Sequence, residues 1–345
     1  MKILNAIHAQ TIGGVDQMFC NYAAALALEG HEVALLISDN GNDNYKIPNV
    51  KKIFKLKNTS QVLDCLKLLV TLLIYRPDLI ICHSNRLMKW MKILRYFSST
   101  KSIAINHGIS FKNSLNCDYI ISINQQISDM VVAAGFDARK SFVVSNVIKI
   151  DEDYQKKQIQ KPLTIGMYGR IEPRKGFDIF LKAAAILCAK NYDVKFKIGG
   201  FEVPGGYNWQ YLKEFAQTQK IYDKCEFVGV VKDKKSFFKD VDIFCVPSRE
   251  EPFGLVILEG FLHSTLVISS DSEGGKLLIK NNEDGLLFEN ENPQDLAQKI
   301  ISIYESTENY CDFTKRAYLK LAQQYSFSAL ANNFQQVLAQ IFKQK

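Results

Sequence analysis

The sequence lacks the long apolar segments of membrane-spanning and secreted proteins. Crossing a bilayer takes roughly 18 consecutive apolar residues, and the best candidate, residues 68–75, is far shorter and directly follows Lys67. The opening residues, MKILN, do not show a basic region followed by an apolar core and a cleavage site. We therefore expect no signal peptide and a cytoplasmic location.

Closely spaced cysteines are also missing. The chain has eight cysteines but no C-x-x-C pair, so we expect reduced, mostly buried thiols and no metal held by thiolates. Proline is scarce, at 8 residues, whereas 47% of the residues are hydrophobic and 23% are charged. This composition excludes a disordered or collagen-like chain. The length of 345 residues predicts two domains.

Acidic residues are rare in one stretch of the chain. Residues 46–112 hold 13 basic and two acidic residues, although the whole chain has a net charge of only +7. Basic and apolar residues interleave there, as in residues 51–57 and 89–97. The stretch is either a soluble basic surface or a face that meets an anionic membrane or an anionic lipid-linked substrate. The sequence contains no zinc-finger, RNP or helix-turn-helix pattern, so we do not expect nucleic-acid binding.

Apolar runs and helical patterns alternate along the chain in two series, which begin near residues 2–9 and 163–168. This alternation predicts an α/β fold of two Rossmann-like, doubly wound parallel-sheet domains that face each other across a cleft. A polar segment without a core-facing period separates the two series and predicts a linker. The predicted parts are an N-terminal domain at 1–150, the linker at 151–162, a C-terminal domain at 163–325, and a helix at 326–345 that returns to the first domain.

The most informative segment is residues 247–259, PSREEPFGLVILE, which follows a buried strand and opens a helix. Its carboxylates Glu251 and Glu259 are eight residues apart, and Gly254 and Leu255 begin the helix. Free N–H groups and the dipole at a helix N-terminus favour an anion such as a diphosphate. The carboxylates on either side can accept hydrogen bonds from sugar hydroxyls. The alternative interpretation is the ordinary enrichment of acidic residues at the start of a helix.

Other strand ends carry cations, glycines and a histidine. In residues 169–176, GRIEPRKG, Arg170 and Lys175 are suited to neutralising phosphate charge, with a solvated basic loop as the alternative. Gly13 and Gly14 precede the first helix, where a ligand can approach backbone amides, but the G-x-G-x-x-G and P-loop patterns are absent from this sequence. His107 also follows a strand, and a lone histidine is more often structural than functional.

In their order along the chain, from Gly13-Gly14 and His107 through residues 169–176 to residues 247–259, the motifs resemble glycosyltransferase family 4. Members of this family are retaining, nucleotide-sugar-dependent enzymes with the GT-B fold. The resemblance spans nearly the whole chain, and its most specific part is the spacing of Glu251 and Glu259. It implies a set of catalytic residues: His107, Glu251, Arg170 and Lys175. It also implies a donor-binding set: Gly13, Gly14, Arg170, Lys175, Val230, Glu251, Phe253, Gly254, Leu255 and Glu259.

The resemblance implies that the domain at 1–150 lies on the acceptor side and that the domain at 163–325 binds the donor. It also implies roles for the candidate site residues of the second domain. Glu251 would bind hydroxyls of the donor sugar, the amides of residues 253–255 would lie along the sugar and phosphate, and Glu259 would bind the ribose. The nucleotide base would lie near Val230. The sequence departs from the usual family pattern at four positions that affect packing of the donor loop: Gly260, Ser264, Leu266 and Leu278.

In the first domain, the resemblance implies that Gly13 and Gly14 close over the donor and that His107 lies beside the reacting sugar. The leaving diphosphate would be stabilised by cations and helix amides. Attack by the acceptor from the side of the leaving group gives retention. Two Asp-x-Asp pairs, in residues 151–153 and 240–242, are a weak alternative as a metal site, and we expect no metal or other cofactor.

The resemblance therefore predicts a hexosyltransferase that uses a nucleotide diphosphate sugar, with UDP favoured, and a saccharide or glycolipid acceptor. Such an enzyme fits lipopolysaccharide or polysaccharide assembly, as a peripheral protein on the inner face of the cytoplasmic membrane. Two alternatives stay open at this point. One is a nucleotide-sugar-binding protein without transferase activity, and the other is a nucleotide-sugar epimerase of similar fold.

Overall fold

The structure is a computed structural model that describes residues 1–8, 14–38, 47, 49–50, 52–57, 60–159, 161–306 and 310–343. The chain divides into two compact units. One consists of Met1–Lys149 together with Tyr325–Lys345, and the other is Ile150–Gln324. The C-terminal segment therefore packs with the beginning of the chain.

The first unit is built on a seven-stranded parallel sheet. Its elements are β1 (Lys2–Ala6), α1 (Gly14–Leu28), β2 (Glu32–Ser38), β3 (Lys52–Leu56), α2 (Gln61–Tyr75), β4 (Leu79–Cys82), α3 (Asn85–Leu94), β5 (Lys101–Asn106), β6 (Tyr119–Ser122), α4 (Gln125–Ala133) and β7 (Ser141–Val143). The spatial order of the strands is β3-β2-β1-β4-β5-β6-β7. The order reverses between β1 and β4, which makes the sheet doubly wound.

The core of the first unit follows from its strand composition. β4, LIIC, is buried along its whole length, as expected for a parallel strand covered by helices on both faces. On one face, Leu4 and Ala6 of β1 pack in a cluster with residues of both α2 and α3. Since successive residues of a strand point to opposite faces, Ile3 of the same strand is buried on the other side.

The second unit has a six-stranded parallel sheet of order β10-β9-β8-β11-β12-β13, in which the order reverses between β8 and β11. Its elements are β8 (Leu163–Ile171), α5 (Phe177–Ala189), β9 (Val194–Glu202), α6 (Trp209–Thr218), β10 (Cys225–Gly229), α7 (Lys234–Lys239), β11 (Ile243–Val246), α8 (Leu255–Leu262), β12 (Leu266–Ser270), α9 (Glu273–Leu278), β13 (Leu286–Phe288), α10 (Pro293–Glu305) and α11 (Tyr310–Gln324).

A final helix, α12 (Phe327–Lys343), belongs to the first unit and packs on α1. Its Phe334 is fully buried, and the ring lies 5.8 Å from the ring of Tyr22 on α1 in an edge-to-face arrangement. Such aromatic pairs add to the free energy of burial. The last helix of the chain is therefore part of the core of the N-terminal unit.

The predicted α/β architecture with two doubly wound parallel sheets is confirmed. The boundaries differ in places: the strand predicted at residues 2–9 ends at Ala6. Several elements are not predicted from the sequence, namely β3, α3, α4, α7, α9, β13, α10 and α11. Within the ranges described, no helix combines the length and the apolar character that a bilayer crossing requires.

Candidate active site

The predicted cations and carboxylates of the second unit lie where its sheet reverses order. Residues 169–171 are the end of β8 and lead into the turn that holds Lys175, whereas residues 247–251 follow β11. These two strands are neighbours in the sheet. In open α/β sheets, ligands bind beyond the carboxyl ends of the strands at this switch point. The topology therefore brings the two motifs together, although they are about 80 residues apart in the chain.

Lys175 and Glu251 form an ion pair at this point. The Lys175 Nζ donates to Glu251 Oε2 at 2.5 Å, and the two side chains are only 16% and 11% exposed. Arg170 is oriented differently, because its guanidinium pairs with Glu172 at 3.0 Å and stays 39% exposed. The site thus holds one shielded cation in contact with a carboxylate and one cation that solvent reaches.

Glu259, the second carboxylate of the motif, is buried on α8 with both oxygens engaged. Oε2 accepts a hydrogen bond from the hydroxyl of Tyr168 on β8, and Oε1 accepts one from the ammonium group of Lys234 at the start of α7. Burial, together with the Glu259 carboxylate, holds the pKa of Tyr168 well above its ordinary value. The tyrosine is therefore a permanent donor at neutral pH. Neither partner is predicted from the sequence, and no local signal links Lys234 to a carboxylate 25 positions away.

The turn that carries Lys175 is pressed against the end of β11. Gly176 has φ +70°, and a Cβ placed there would lie 1.9 Å from the carbonyl oxygen of Pro247. Arg249 stabilises the same turn, since its backbone N–H donates to the Arg174 carbonyl at 2.8 Å. Its guanidinium donates two hydrogen bonds, of 2.9 and 2.8 Å, to the carboxylate of Asp178 on α5. Paired bonds of this kind fix geometry as well as adding stability.

The loop that holds Glu251 is supported from behind by the start of α9. The Gly274 N–H donates to the carbonyl of Glu251 at 2.6 Å, and a Cβ on Gly274 would lie 2.4 Å from the carbonyl oxygen of Phe253. Only a glycine permits this approach of two backbones. Leu278, which stands where the family usually has Glu, is fully buried and faces Gly254 across this contact.

The other departures from the family pattern also lie in the core. A Cβ on Gly260 would lie 2.5 Å from Val267 Cγ2, so α8 and β12 pack too closely there for a larger side chain. Ser264 is buried with φ +51°, and its hydroxyl accepts a hydrogen bond from the Gln155 N–H at 3.0 Å. Leu266 is a buried residue of β12. These four positions thus affect packing of the second unit.

The remaining predicted donor-binding residues are distributed as follows. Phe253 is buried, Gly254 has φ +99° directly before α8, and Leu255 is the first residue of that helix. Val230 follows β10 and is 54% exposed. In the first unit, Gly14 is the first residue of α1, whereas Gly13 lies outside the described residues.

His107 lies in a polar group at the carboxyl edge of the first sheet. Its Nε2 is 3.0 Å from Nδ1 of His83, whose Nε2 is in turn 2.9 Å from Asn5 Oδ1. Burial lowers the pKa of His107 to about 4, and burial with His107 alongside holds the pKa of His83 well below its ordinary value. Both rings are therefore neutral at pH 7. His83 is not among the residues predicted from the sequence.

Several buried polar atoms at this edge have no hydrogen-bond partner among the described residues. They are His107 Nδ1, both amide atoms of Asn106, Ser122 Oγ, Asn146 Oδ1 and the hydroxyl of Tyr22. Most buried polar groups in proteins are paired, because an unpaired group costs about 1–3 kcal/mol.

The two Asp-x-Asp pairs lie in different parts of the second unit. Asp240 contacts Lys197 at 3.1 Å, and Asp242 accepts the backbone N–H of Thr164 at 2.8 Å. Asp153 and Asp151 lie in the segment before β8. In the part of the chain that the structure describes, no group of three or more His, Cys, Asp or Glu side chains is arranged to hold a metal ion.

Comparison with known proteins gives a consistent result. Residues 149–320 match the family described as Glycosyl transferases group 1. The chain is 25% identical to the lipopolysaccharide core biosynthesis glycosyltransferase LpsE of Rhizobium meliloti, and the alignment covers 98% of this chain and 99% of that protein. It is 23% identical to a poly(ribitol-phosphate) alpha-N-acetylglucosaminyltransferase of Staphylococcus aureus, over 66% of this chain and 48% of that protein.

Solved structures share the fold over the whole chain. A glycosyltransferase from Rickettsia africae superposes with a TM-score of 0.85 at 20% identity, covering 100% of this chain and 99% of that one. HepE of Anabaena, in complex with UDP and glucose, superposes with a TM-score of 0.81 at 19% identity, covering 98% and 99%. The chain is therefore a glycosyltransferase with the GT-B fold, and its residues 149–320 are the part that matches the group 1 transferases.

Proposed function

We propose that this protein is a retaining hexosyltransferase of glycosyltransferase family 4 that uses a UDP-sugar and acts without a metal ion. The observation that carries the proposal is the ion pair of Lys175 and Glu251 at the switch point of the second sheet. A phosphate-binding cation and a hydroxyl-binding carboxylate stand side by side there. A sugar joined to a diphosphate presents the complementary groups, an anionic phosphate for the cation and hydroxyl donors for the carboxylate, in one molecule.

In this proposal, Lys175 and Arg170 neutralise the diphosphate, and the amides of residues 253–255 add the partial positive charge of a helix N-terminus. Glu251 accepts hydrogen bonds from the sugar hydroxyls, and Glu259 accepts them from the ribose. Val230 lies beside the base. The resemblance also implies substrate-binding roles for His107, Gly13 and Gly14.

The proposed mechanism is electrostatic. Negative charge develops on the diphosphate as the bond to the anomeric carbon breaks, and the neighbouring cations stabilise this charge. The acceptor hydroxyl attacks from the side that the diphosphate leaves, so the anomeric configuration is retained, and its proton passes to a leaving-group oxygen. His107 is neutral at pH 7 because its pKa is lowered to about 4, so it serves as a hydrogen-bonding group.

Several findings support the finer parts of the proposal. HepE of Anabaena was solved with UDP and glucose and with UDP-glucose. LpsE is named for lipopolysaccharide core biosynthesis, and another relative is a capsular polysaccharide glycosyltransferase of Staphylococcus aureus. We therefore propose a UDP-sugar donor and an acceptor of the lipopolysaccharide or envelope polysaccharide class. Such acceptors are assembled on the inner face of the cytoplasmic membrane, and we propose that residues 46–112 meet that anionic surface as a peripheral contact.

The first test is thermal unfolding with UDP-glucose, UDP-galactose, UDP-N-acetylglucosamine, GDP-mannose and ADP-heptose, each with and without EDTA. A donor at about 100 times its Kd adds about 2.7 kcal/mol of stability, which raises Tm by several degrees. We expect a UDP-sugar to respond and EDTA to make no difference. A response that EDTA abolishes and Mn²⁺ restores would contradict metal-free binding.

The second test compares two neighbouring carboxylates. Glu251→Ala is expected to lower kcat/KM for the responsive donor at least about tenfold, or roughly 1.4 kcal/mol of transition-state stabilisation. Glu250→Ala is the matched control, since Glu250 is exposed. Equal activities of the two variants would remove Glu251 from the site. Donor binding with no released UDP would favour the binding-protein alternative, and conversion of the donor without acceptor would favour the epimerase.

A further inference from the structure

Helix α2 in the first unit presents an apolar surface to solvent. Six large hydrophobic side chains on it are between 49% and 77% exposed: Val62, Leu63, Leu66, Val70, Leu73 and Ile74. At 100° per residue, these positions fall within an arc of about 120° on one side of the helix. They therefore form a single continuous stripe, which we call the α2 stripe.

The opposite side of α2 is the one that packs into the protein. Leu68, Leu72 and Tyr75 are buried against the sheet, and Asp64 is buried with its carboxylate 3.5 Å from His8 Nε2. A surface helix of a globular protein normally has one apolar side and one polar side. This helix is apolar on both sides, so the α2 stripe is not explained by the core of the unit.

A second exposed apolar group lies at the end of α3. Ile93, Tyr96 and Phe97 are 57%, 74% and 60% exposed. The buried sides of α2 and α3 belong to one core cluster on the same face of the sheet. The outer sides of both helices therefore belong to the same surface of the first unit. An exposed apolar stripe of six large side chains on one helix indicates an interaction site.

Positive charge accompanies the apolar residues. Lys67 is exposed on α2 next to the stripe, and Lys57, Lys89 and Lys92 are exposed on the neighbouring segments. The carboxylate on α2, Asp64, is buried and does not offset them at the surface. Exposed apolar residues flanked by lysines match the chemistry of an anionic lipid headgroup layer. A second copy of the chain fits less well, because a two-fold interface would bring the lysines of both copies together.

We propose that α2 lies flat in the headgroup region of an anionic bilayer, with the α2 stripe inserted among the acyl chains and the lysines paired with lipid phosphates. The helix has 15 residues, or about 22 Å, which is too short to span a bilayer and suits an interfacial position. This inference deepens the proposed membrane contact: attraction between charges alone is lost at high salt, whereas apolar insertion persists.

The test is co-sedimentation with vesicles of phosphatidylglycerol and phosphatidylethanolamine, at about 50 mM and about 500 mM NaCl. The wild type is expected to bind at both concentrations, and to bind weakly to phosphatidylcholine vesicles. Leu66→Gln/Val70→Gln/Leu73→Gln is expected to reduce binding at high salt at least about tenfold, because each change removes apolar surface that the bilayer would bury. Leu28→Gln/Met130→Gln is the matched control, since both side chains are exposed on other helices of the same unit.

A second measurement does not depend on affinity. Leu66→Trp is expected to show a blue-shifted emission on addition of anionic vesicles, whereas Leu28→Trp is not. The two native tryptophans, the buried Trp90 and the partly exposed Trp209 on the second unit, give the same background in both variants.

The outcomes separate this inference from the wider proposal. If the wild type is released completely at high salt, and the triple variant binds as the wild type does at low salt, insertion is wrong and the electrostatic contact stands. If anionic vesicles are not bound at either salt concentration, both membrane proposals fail, while donor binding remains a separate measurement. If α2 variants instead abolish a dimer seen by sedimentation velocity, the stripe is an interface between copies.

Discussion

Glu259 is held by two residues before any ribose is present. Tyr168 donates to one carboxylate oxygen and Lys234 to the other. A ribose hydroxyl that binds Glu259 must therefore displace Lys234 or share its oxygen, while Tyr168 is buried and stays in place. At the scale of single residues, Tyr168 sets the orientation of the carboxylate and Lys234 competes for it.

We predict that Tyr168→Phe raises the KM for the nucleotide sugar about tenfold while kcat changes little, because a hydrogen bond to a charged group contributes about 1.5 kcal/mol or more. Steady-state kinetics with a 2′-deoxyribose donor should show a smaller effect, since the contact with Glu259 is then already weakened. Tyr192→Phe is the control, as its hydroxyl bonds Glu305 at 2.7 Å on the surface. An equal loss with both donors would contradict a role through the ribose.

The histidine pair gives a pH prediction. Because the pKa of His107 is lowered to about 4 from 6.5, the unfolded chain binds more protons than the folded one between these values. Folding stability therefore falls as the pH drops from about 6.5 toward about 4. Urea unfolding at pH 7 and pH 5 should show a smaller loss for His107→Asn than for the wild type. Identical losses would mean that His107 does not contribute to the pH dependence.

At the scale of elements, the turn from β8 to α5 decides where Lys175 lies. The turn needs Gly176 for two reasons, a φ of +70° and contact with the Pro247 carbonyl. Gly205 has a similar φ of +77°, but nothing lies within 4 Å of where its Cβ would be. Substitution of Gly205 therefore introduces backbone strain alone, whereas substitution of Gly176 introduces backbone strain and a steric clash.

Gly205→Ala is expected to cost about 1 kcal/mol of unfolding free energy, as for other residues forced into the left-handed region. Gly176→Ala should cost roughly 3 kcal/mol or more and should also weaken donor binding, because the clash displaces the turn. Urea unfolding and thermal shift with the donor measure the two effects. Similar costs for both variants would show that the Pro247 contact relaxes easily.

The sequence predicts some of these elements well and misses others for physical reasons. The strands and helices next to Glu251 and Arg170 are apolar and bounded by glycine or proline, so their patterns are clear. In contrast, β3 and α3 lie within the basic stretch, where exposed lysines conceal the buried positions of Leu56 and Trp90. Contacts such as Tyr168 with Glu259, or His83 with His107, depend on strand order and register, which local pattern does not encode.

At the scale of the whole molecule, the first unit is discontinuous, because α12 completes the core begun by α1. Phe334→Ala is expected to destabilise this unit by about 3–5 kcal/mol through the cavity it leaves. Hydrogen exchange should then show lost protection in α1 and β1 but not in β8 or α5. Phe342→Ala, in the same helix and 36% exposed, is the control. Equal loss of protection in both units would mean that they unfold as one.

The same discontinuity constrains the order of folding during synthesis. About 300 residues separate the end of α1 from the start of α12, and ribosomes add roughly 5–20 residues per second. Roughly 15–60 s therefore pass between the synthesis of α1 and the synthesis of α12, which covers its buried side. The second unit, which is continuous, has all of its residues translated before α12 emerges. Nascent chains consequently expose the α12-binding surface of α1 for most of their synthesis.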